Sequence, residues 1–181
     1  MDRRDTPHSS LRLIGFVTLL LFSLLVVTAF QACGGLADGE ENRREAVEAA
    51  LDALAAELAE DRPVSAGGYE KRLRAYLEDH PAFFGAAAAL VDSSGRVPAS
   101  PYVYRSGDKY TAKDLATPAY RIEEQEWFTL PLSTQGSLWT SPYFDAGGGE
   151  VWMITRSTPV RDAQGVFAVV TTDLVVDDPN Q

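Results

Sequence analysis

Residues 139–160, WTSPYFDAGGGEVWMITRSTPV, carry the decision about the fold. An aromatic, proline-containing loop with one acid, Asp145, runs into three glycines at 147–149 and then into a strand-like stretch. Consecutive glycines supply the positive backbone dihedrals of a tight reversal. Aromatics gathered around one acid are either the packed corner of a hairpin or one wall of a small-ligand pocket. Working outward, Trp139 to Phe144, Glu150 to Pro159 and Gly165 to Val176 read as three closing strands, the last two joined by RDAQG, a turn by composition.

Upstream the period changes. Residues 40–62, EENRREAVEAALDALAAELAEDR, place Val47, Leu51, Leu54 and Leu58 on one helical face, and Pro63 follows the end. That stripe packs either on its own domain or, being heptad-like, on a parallel helix of a second chain, giving a homodimer through helix 40–62. Residues 69–78 form a second helix, with Leu73, Tyr76 and Leu77 inward and His80-Pro81 as its stop. PAFFGAAAALVD is short and apolar, as a buried strand is, and SSGR turns it toward a second strand in ASPYVYR. AKDLATPAY (112–120) reads as a short helix broken at Pro118, and IEEQEWFTLP as a further helical turn or two. The order (long helix, helix, two strands, small helices, three strands) is that of an α+β domain.

The 45% apolar content supports one real core across 181 residues. A formal charge of -10, with no run of Lys or Arg, argues against a nucleic-acid partner. The single cysteine, Cys33, excludes an internal disulfide and a cysteine-based zinc cluster; no metal or cofactor is expected. Arg3, Arg4 and Arg12 precede an uncharged apolar span at 13–30, which at about 1.5 Å per residue reaches roughly 27 Å, close to a bilayer core. The basic flank predicts a cytoplasmic N-terminus, so residues 1–35 read as flank and membrane anchor and 36–181 as an extracytoplasmic domain. AFQAC followed by Gly34-Gly35 also resembles the lipobox of bacterial lipoproteins, with Cys33 as the lipidated residue in place of a retained single-pass anchor.

Residues 114–176 resemble the extracytoplasmic Cache sensor domain, in particular the membrane-distal module of bacterial double-Cache receptors. The matching pieces are Trp127-Phe128, the block Trp139-x-x-Pro142-Tyr143-x-Asp145, the glycine turn, TRSTP at 155–159, and Gly165 leading into Thr172-Asp173-Leu174. The resemblance implies a PAS-like antiparallel sheet with a long N-terminal helix and crossover helices. It also implies a pocket enclosed by Tyr120, Trp127, Phe128, Trp139 and Tyr143, with Asp145 and Asp173 as acids facing a ligand. The family's amino-acid-binding branch uses such acids for the ligand amine and an arginine two residues before the tryptophan for the carboxylate. That position is Gln125 here, with Arg121 nearby, which leaves amine, amide, polyol and small heterocyclic ligands open.

Each acid has a structural reading beside the functional one. Asp145 can cap the glycine turn. Asp173 interrupts VFAVVTTDLVV, where a buried charge is costly unless paired, for example with Arg156, or bound to ligand. Glu123, Glu124 and Glu126 read as a solvated helix face. Catalysis is not expected: there is no nucleophile elbow, P-loop or HExxH motif, and His8 and His80 suggest no Ser-His pair. The expectation is a small-ligand sensor module without its own output domain, signalling through a separate protein. Its rival is a structural or dimerising exported module, or a truncated receptor fragment, with no ligand.

Overall fold

The computed structural model describes residues 39–180. The apolar span at 13–30 and Cys33 lie outside the described residues, and among those described no helix is long and apolar enough to cross a membrane. The described residues from Ala46 onward form one compact unit, separate from those before it. Residues 39–45 are helical and carry an ion pair between Arg44 and Glu40 at 2.9 Å.

Helix α1 (39–60) owes its length to alanine and leucine, good helix formers, and ends just before Arg62-Pro63, where the ring cannot continue it. Its stripe, Val47, Leu51, Leu54 and Leu58, is buried in the domain's own core, which removes those four side chains from any seam with a second chain. Helix α2 (Ala66–Asp79) begins one turn earlier than the leucine pattern shows, because Ser65 caps it: its Oγ accepts from the Gly68 amide at 3.2 Å. Tyr69, Leu73, Tyr76 and Leu77 face inward.

Seven antiparallel strands follow: β1 (Gly85–Leu90), β2 (Pro101–Ser106), β3 (Lys109–Asp114), β4 (Leu138–Trp139), β5 (Tyr143–Phe144), β6 (Trp152–Asp162) and β7 (Gly165–Val175). Their order across the sheet is β3-β2-β1-β7-β6-β4, with β5 also pairing β6. Strand β3 corrects the expected helix at 112–120. Gly107, at φ 61°, closes a two-residue turn that pairs Pro101–Ser106 with 109–114 in full register, and that ladder outweighs local helix propensity. The expected strand from Trp139 to Phe144 is two short ones, interrupted where Pro142 has no N–H to donate. In β6, Pro159 is tolerated because the ladder with β4 ends at Ser157, so its missing N–H costs no pairing on that side.

Alternation along the strands gives the sheet two different faces. Ala86, Ala88, Val103, Ile154, Val170 and Leu174 pack with α1 and α2. Ala87, Ala89, Tyr102 and Val169 face the other way and are covered by a single-turn helix (Ile122–Glu124) and by α3 (Glu126–Thr134), through Ile122, Trp127 and Phe128.

Candidate functional site

The second face of the sheet holds a small cavity of about 10 Å³, lined by Ala87, Tyr102, Leu115, Tyr120, Trp127, Tyr143, Asp145, Thr155, Thr171 and Asp173. Such a volume admits about one water molecule. Its floor is β1, whose glycine and alanines leave room for the rings. A Cβ on Gly85 would stand 2.6 Å from the Tyr102 hydroxyl and 2.7 Å from Asp173 Oδ2, so any side chain there would collide with both.

Asp145, only 4% exposed, both caps and faces the cavity. Its Oδ2 accepts from the Gly149 amide at 2.6 Å, and its Oδ1 accepts from the Tyr120 hydroxyl at 2.7 Å. The Trp127 indole N–H donates to that same Tyr120 oxygen at 3.1 Å, so ring, hydroxyl and carboxylate form a chain. Gly148 leaves room for it, since a Cβ there would overlap both Asp145 carboxyl oxygens. Lys113 on β3 holds the loop from outside by donating to the carbonyls of Gly147 and Gly148 at 3.1 and 2.6 Å.

Asp173 sits on β7 opposite Thr155 on β6 and is 3% exposed. The Thr155 hydroxyl donates to Asp173 Oδ1 at 2.8 Å, and the Tyr143 hydroxyl lies 2.9 Å from Thr155 Oγ1. Arg156 does not pair with it. That side chain points to the opposite face, where its Nη1 lies 3.3 Å from Glu48 Oε1. Burial first, and then the charge of Asp145, push the Asp173 carboxyl up to about 7. Burial also raises Asp145, against the opposing pull of the Gly149 amide, the Tyr120 hydroxyl and Lys113. The hydroxyls of Tyr102 and Tyr143 are held well above the ordinary phenol range by burial and then by the two acids.

Of the residues expected at the site, Tyr120, Trp127, Tyr143, Asp145 and Asp173 converge on this cavity. Phe128 stands behind Trp127, ring centroids 6.1 Å apart, in the same buried cluster but off the cavity wall. Trp139 does not enclose the pocket. Paired with Arg156, it turns to the helix face, where its indole N–H donates to Glu48 Oε1 at 2.7 Å. Arg121 is also outside, exposed and 3.1 Å from Glu124, and the Gln125 amide is engaged with the Tyr120 carbonyl at 3.0 Å. Glu123, Glu124 and Glu126 are exposed, as a solvated face requires. Sequence reasoning missed Tyr102 and Thr155 as site residues. The alternation of Tyr102 and Tyr104 in the second strand was the available signal for the first, and Thr155 opens the TRSTP motif.

An antiparallel sheet with two helices on one face and a cavity of tyrosines and acids under short crossover helices on the other defines a PAS-like sensor domain. The chain belongs to the family described as methyl-accepting chemotaxis protein-like, first PDC sensor domain, which matches residues 69–179, and it is a Cache-type sensor. Among solved structures, the extracellular domain of soHK1S-Z6, named as a histidine kinase, is similar at 28% identity and a TM-score of 0.64. That match covers 74% of this chain and 53% of the other. The ligand-binding domain of the Campylobacter jejuni chemoreceptor Tlp3 in complex with L-valine shares the fold at 17% identity and a TM-score of 0.60, covering 75% of this chain and 53% of that one. Its isoleucine-bound form gives 16% and 0.55, with 75% and 53% covered. This chain spans about half the length of each. No curated protein matches it by sequence.

Proposed function

We propose that the chain is the sensing module of a membrane-anchored receptor, lying outside the cytoplasm, whose pocket takes a small ligand through a cationic amine held between Asp145 and Asp173. One observation carries this reading: two buried acids and three tyrosine hydroxyls line one cavity, with no lysine or arginine among the lining residues. An ammonium group brings the missing positive charge and three N–H donors to the carboxylate and hydroxyl oxygens gathered there. Tyr120, Trp127 and Tyr143 form the walls and Phe128 backs Trp127, an aromatic enclosure suited to a cation. Because Gln125 replaces the carboxylate-binding arginine and spends its amide on Tyr120, an amine without a carboxylate fits better than an α-amino acid. A ligand of that kind needs the cavity to widen, since its present volume holds no more than a water.

The extracytoplasmic placement is supported by the arginine-flanked apolar span at 13–30 and by the similarity to extracellular receptor domains. A membrane held by lipid on Cys33 would serve the same module. Signal transfer to a separate or linked output protein, not catalysis, is the role that follows from such relatives.

Melting of the full chain with a panel of small amines, amino acids and organic acids tests the reading, because a ligand of the native state must raise the transition. Amines should stabilise the wild type. Asp173→Ala should weaken that binding by about tenfold to a hundredfold, the size of a charge-assisted hydrogen bond. Stabilisation by organic acids alone, or equal shifts in both proteins, would sink it.

A further inference from the structure

Asp145 and Asp173 share one cavity with no counter-charge lining it, and their surroundings are unequal. From the loop after β5, Asp145 receives the Gly149 amide and the Tyr120 hydroxyl, both of which favour its ionised form. Asp173 receives only the Thr155 hydroxyl by ordinary hydrogen-bond geometry. Beside it lies the Tyr102 hydroxyl of β2, fully buried and without a hydrogen-bond partner, although it and Asp173 Oδ2 both fall within 2.7 Å of one point above Gly85. That hydroxyl can donate to an ionised Asp173 or accept from a protonated one, so it leaves either state open; the asymmetry between the acids rests on the two donors that Asp145 holds, one of them a backbone amide.

The groups facing Asp173 from each packed element offer no alternative cation. β2 presents Tyr102, β5 presents Tyr143, β6 presents Thr155, and the segment from 120 to 127 presents Tyr120 and Trp127. On β3, Lys113 spends its ammonium on the carbonyls of Gly147 and Gly148, beyond Asp145. Glu150, beside it, donates nothing and accepts from the Gly147 amide. Arg105 and Arg156 lie on the helix face, bonded to Leu77 and Glu48 respectively.

We propose that the pocket binds one proton, resident on Asp173, and that a cationic ligand competes with it. The competition rests on the function proposed above; the proton site does not. Binding an ammonium ion would release the proton to solvent, so affinity would fall as the medium acidifies. The domain would then report ligand concentration and external acidity through one equilibrium.

The sign can be worked out for the ligand-free chain. Between the ordinary carboxylate value of 3.8 and about 7, the folded state holds a proton on Asp173 that the unfolded state has released. Stability from this site therefore declines as pH rises through that window, and the decline is complete above about 7. Infrared spectra of the full chain, titrated from about pH 5 to about pH 8, should show a buried protonated carboxyl band that vanishes with a midpoint near 7 and is absent in Asp173→Asn. Carboxylates ionised throughout that range would overturn the proposal. Melting over the same range gives a second readout: Asp173→Asn should lose the wild type's stabilisation on acidification, and an unchanged profile would count against the assignment to Asp173. With propylamine as probe, apparent affinity should fall by up to tenfold per pH unit below about 7. Binding independent of pH would refute the competition. A titrating carboxyl with no propylamine binding at any pH would uphold the proton site while refuting the competition and counting against the amine-sensor reading.

Discussion

The two faces of one sheet are built by opposite rules. Against α1 and α2 the sheet presents alanine, valine, isoleucine and leucine, and the helices answer with Leu51, Leu54, Leu58, Leu73 and Leu77. The polar contacts there, such as Tyr76 to Thr172 at 2.7 Å and Trp139 to Glu48 at 2.7 Å, lie among or beside a hydrocarbon core. On the other face the same strands present Tyr102, Thr155, Thr171 and Asp173, and the cover answers with Tyr120, Tyr143 and Asp145. Burying carboxylates opposes folding, while burying leucine drives it. The helix face is thus packed mainly with aliphatic hydrocarbon, and the other face mixes a second, aromatic-rich core with buried polar groups. Neighbouring residues on β6 and β7 make the division sharp: Thr155 and Asp173 pair on the cavity side, and the next pair, Arg156 and Thr172, holds Glu48 and Tyr76 on the helix side.

The comparison breaks most visibly if packing is removed from the helix face. Leu51→Ala, at a fully buried position, should cost about 2–5 kcal/mol in urea unfolding, independent of pH between about 5 and 8. A pH-dependent loss would mean that the two faces are coupled more tightly than their residues imply. On the cavity face, Tyr120→Phe removes a donor from Asp145 and an acceptor from Trp127 without opening space. It should cost about 1–3 kcal/mol near neutral pH, measured the same way; a neutral result would show that water takes over both bonds. The smallest effect is expected at Glu48→Gln, half-exposed on α1, which keeps an acceptor for the Trp139 indole but loses the charge facing Arg156. A loss below about 1 kcal/mol, shrinking with added salt, is the expected outcome. A larger loss would move this contact from surface pairing to a structural anchor of α1.

Much of this was legible before any coordinates. The leucine spacing of α1 and α2 and the alternation in β6 and β7 mark elements whose periodicity is set by burial on one side. The convergence of Tyr120, Trp127, Tyr143, Asp145 and Asp173 followed from their motif positions. Strand β3 was not legible, because KYTAKD has little intrinsic preference and becomes a strand only when β2 lies beside it. Trp139 and Tyr143 looked alike as aromatics of one loop. Their strands meet β6 at Arg156 and at Met153, positions an odd number of residues apart, so the rings end on opposite faces.

The sequence alone determined the elements with strong periodicity, the acid placed within an apolar terminal strand, and the family, since these depend on residues near one another in the chain. Only the tertiary structure decided that Asp145 caps its loop and faces the cavity at once. It also decided that Tyr102 completes that cavity and that Arg156 turns away to Glu48. Each of these depends on strand register and on pairings across 15 to 108 residues of chain, from Thr155 with Thr140 to Arg156 with Glu48, and local propensity carries no information about such partners.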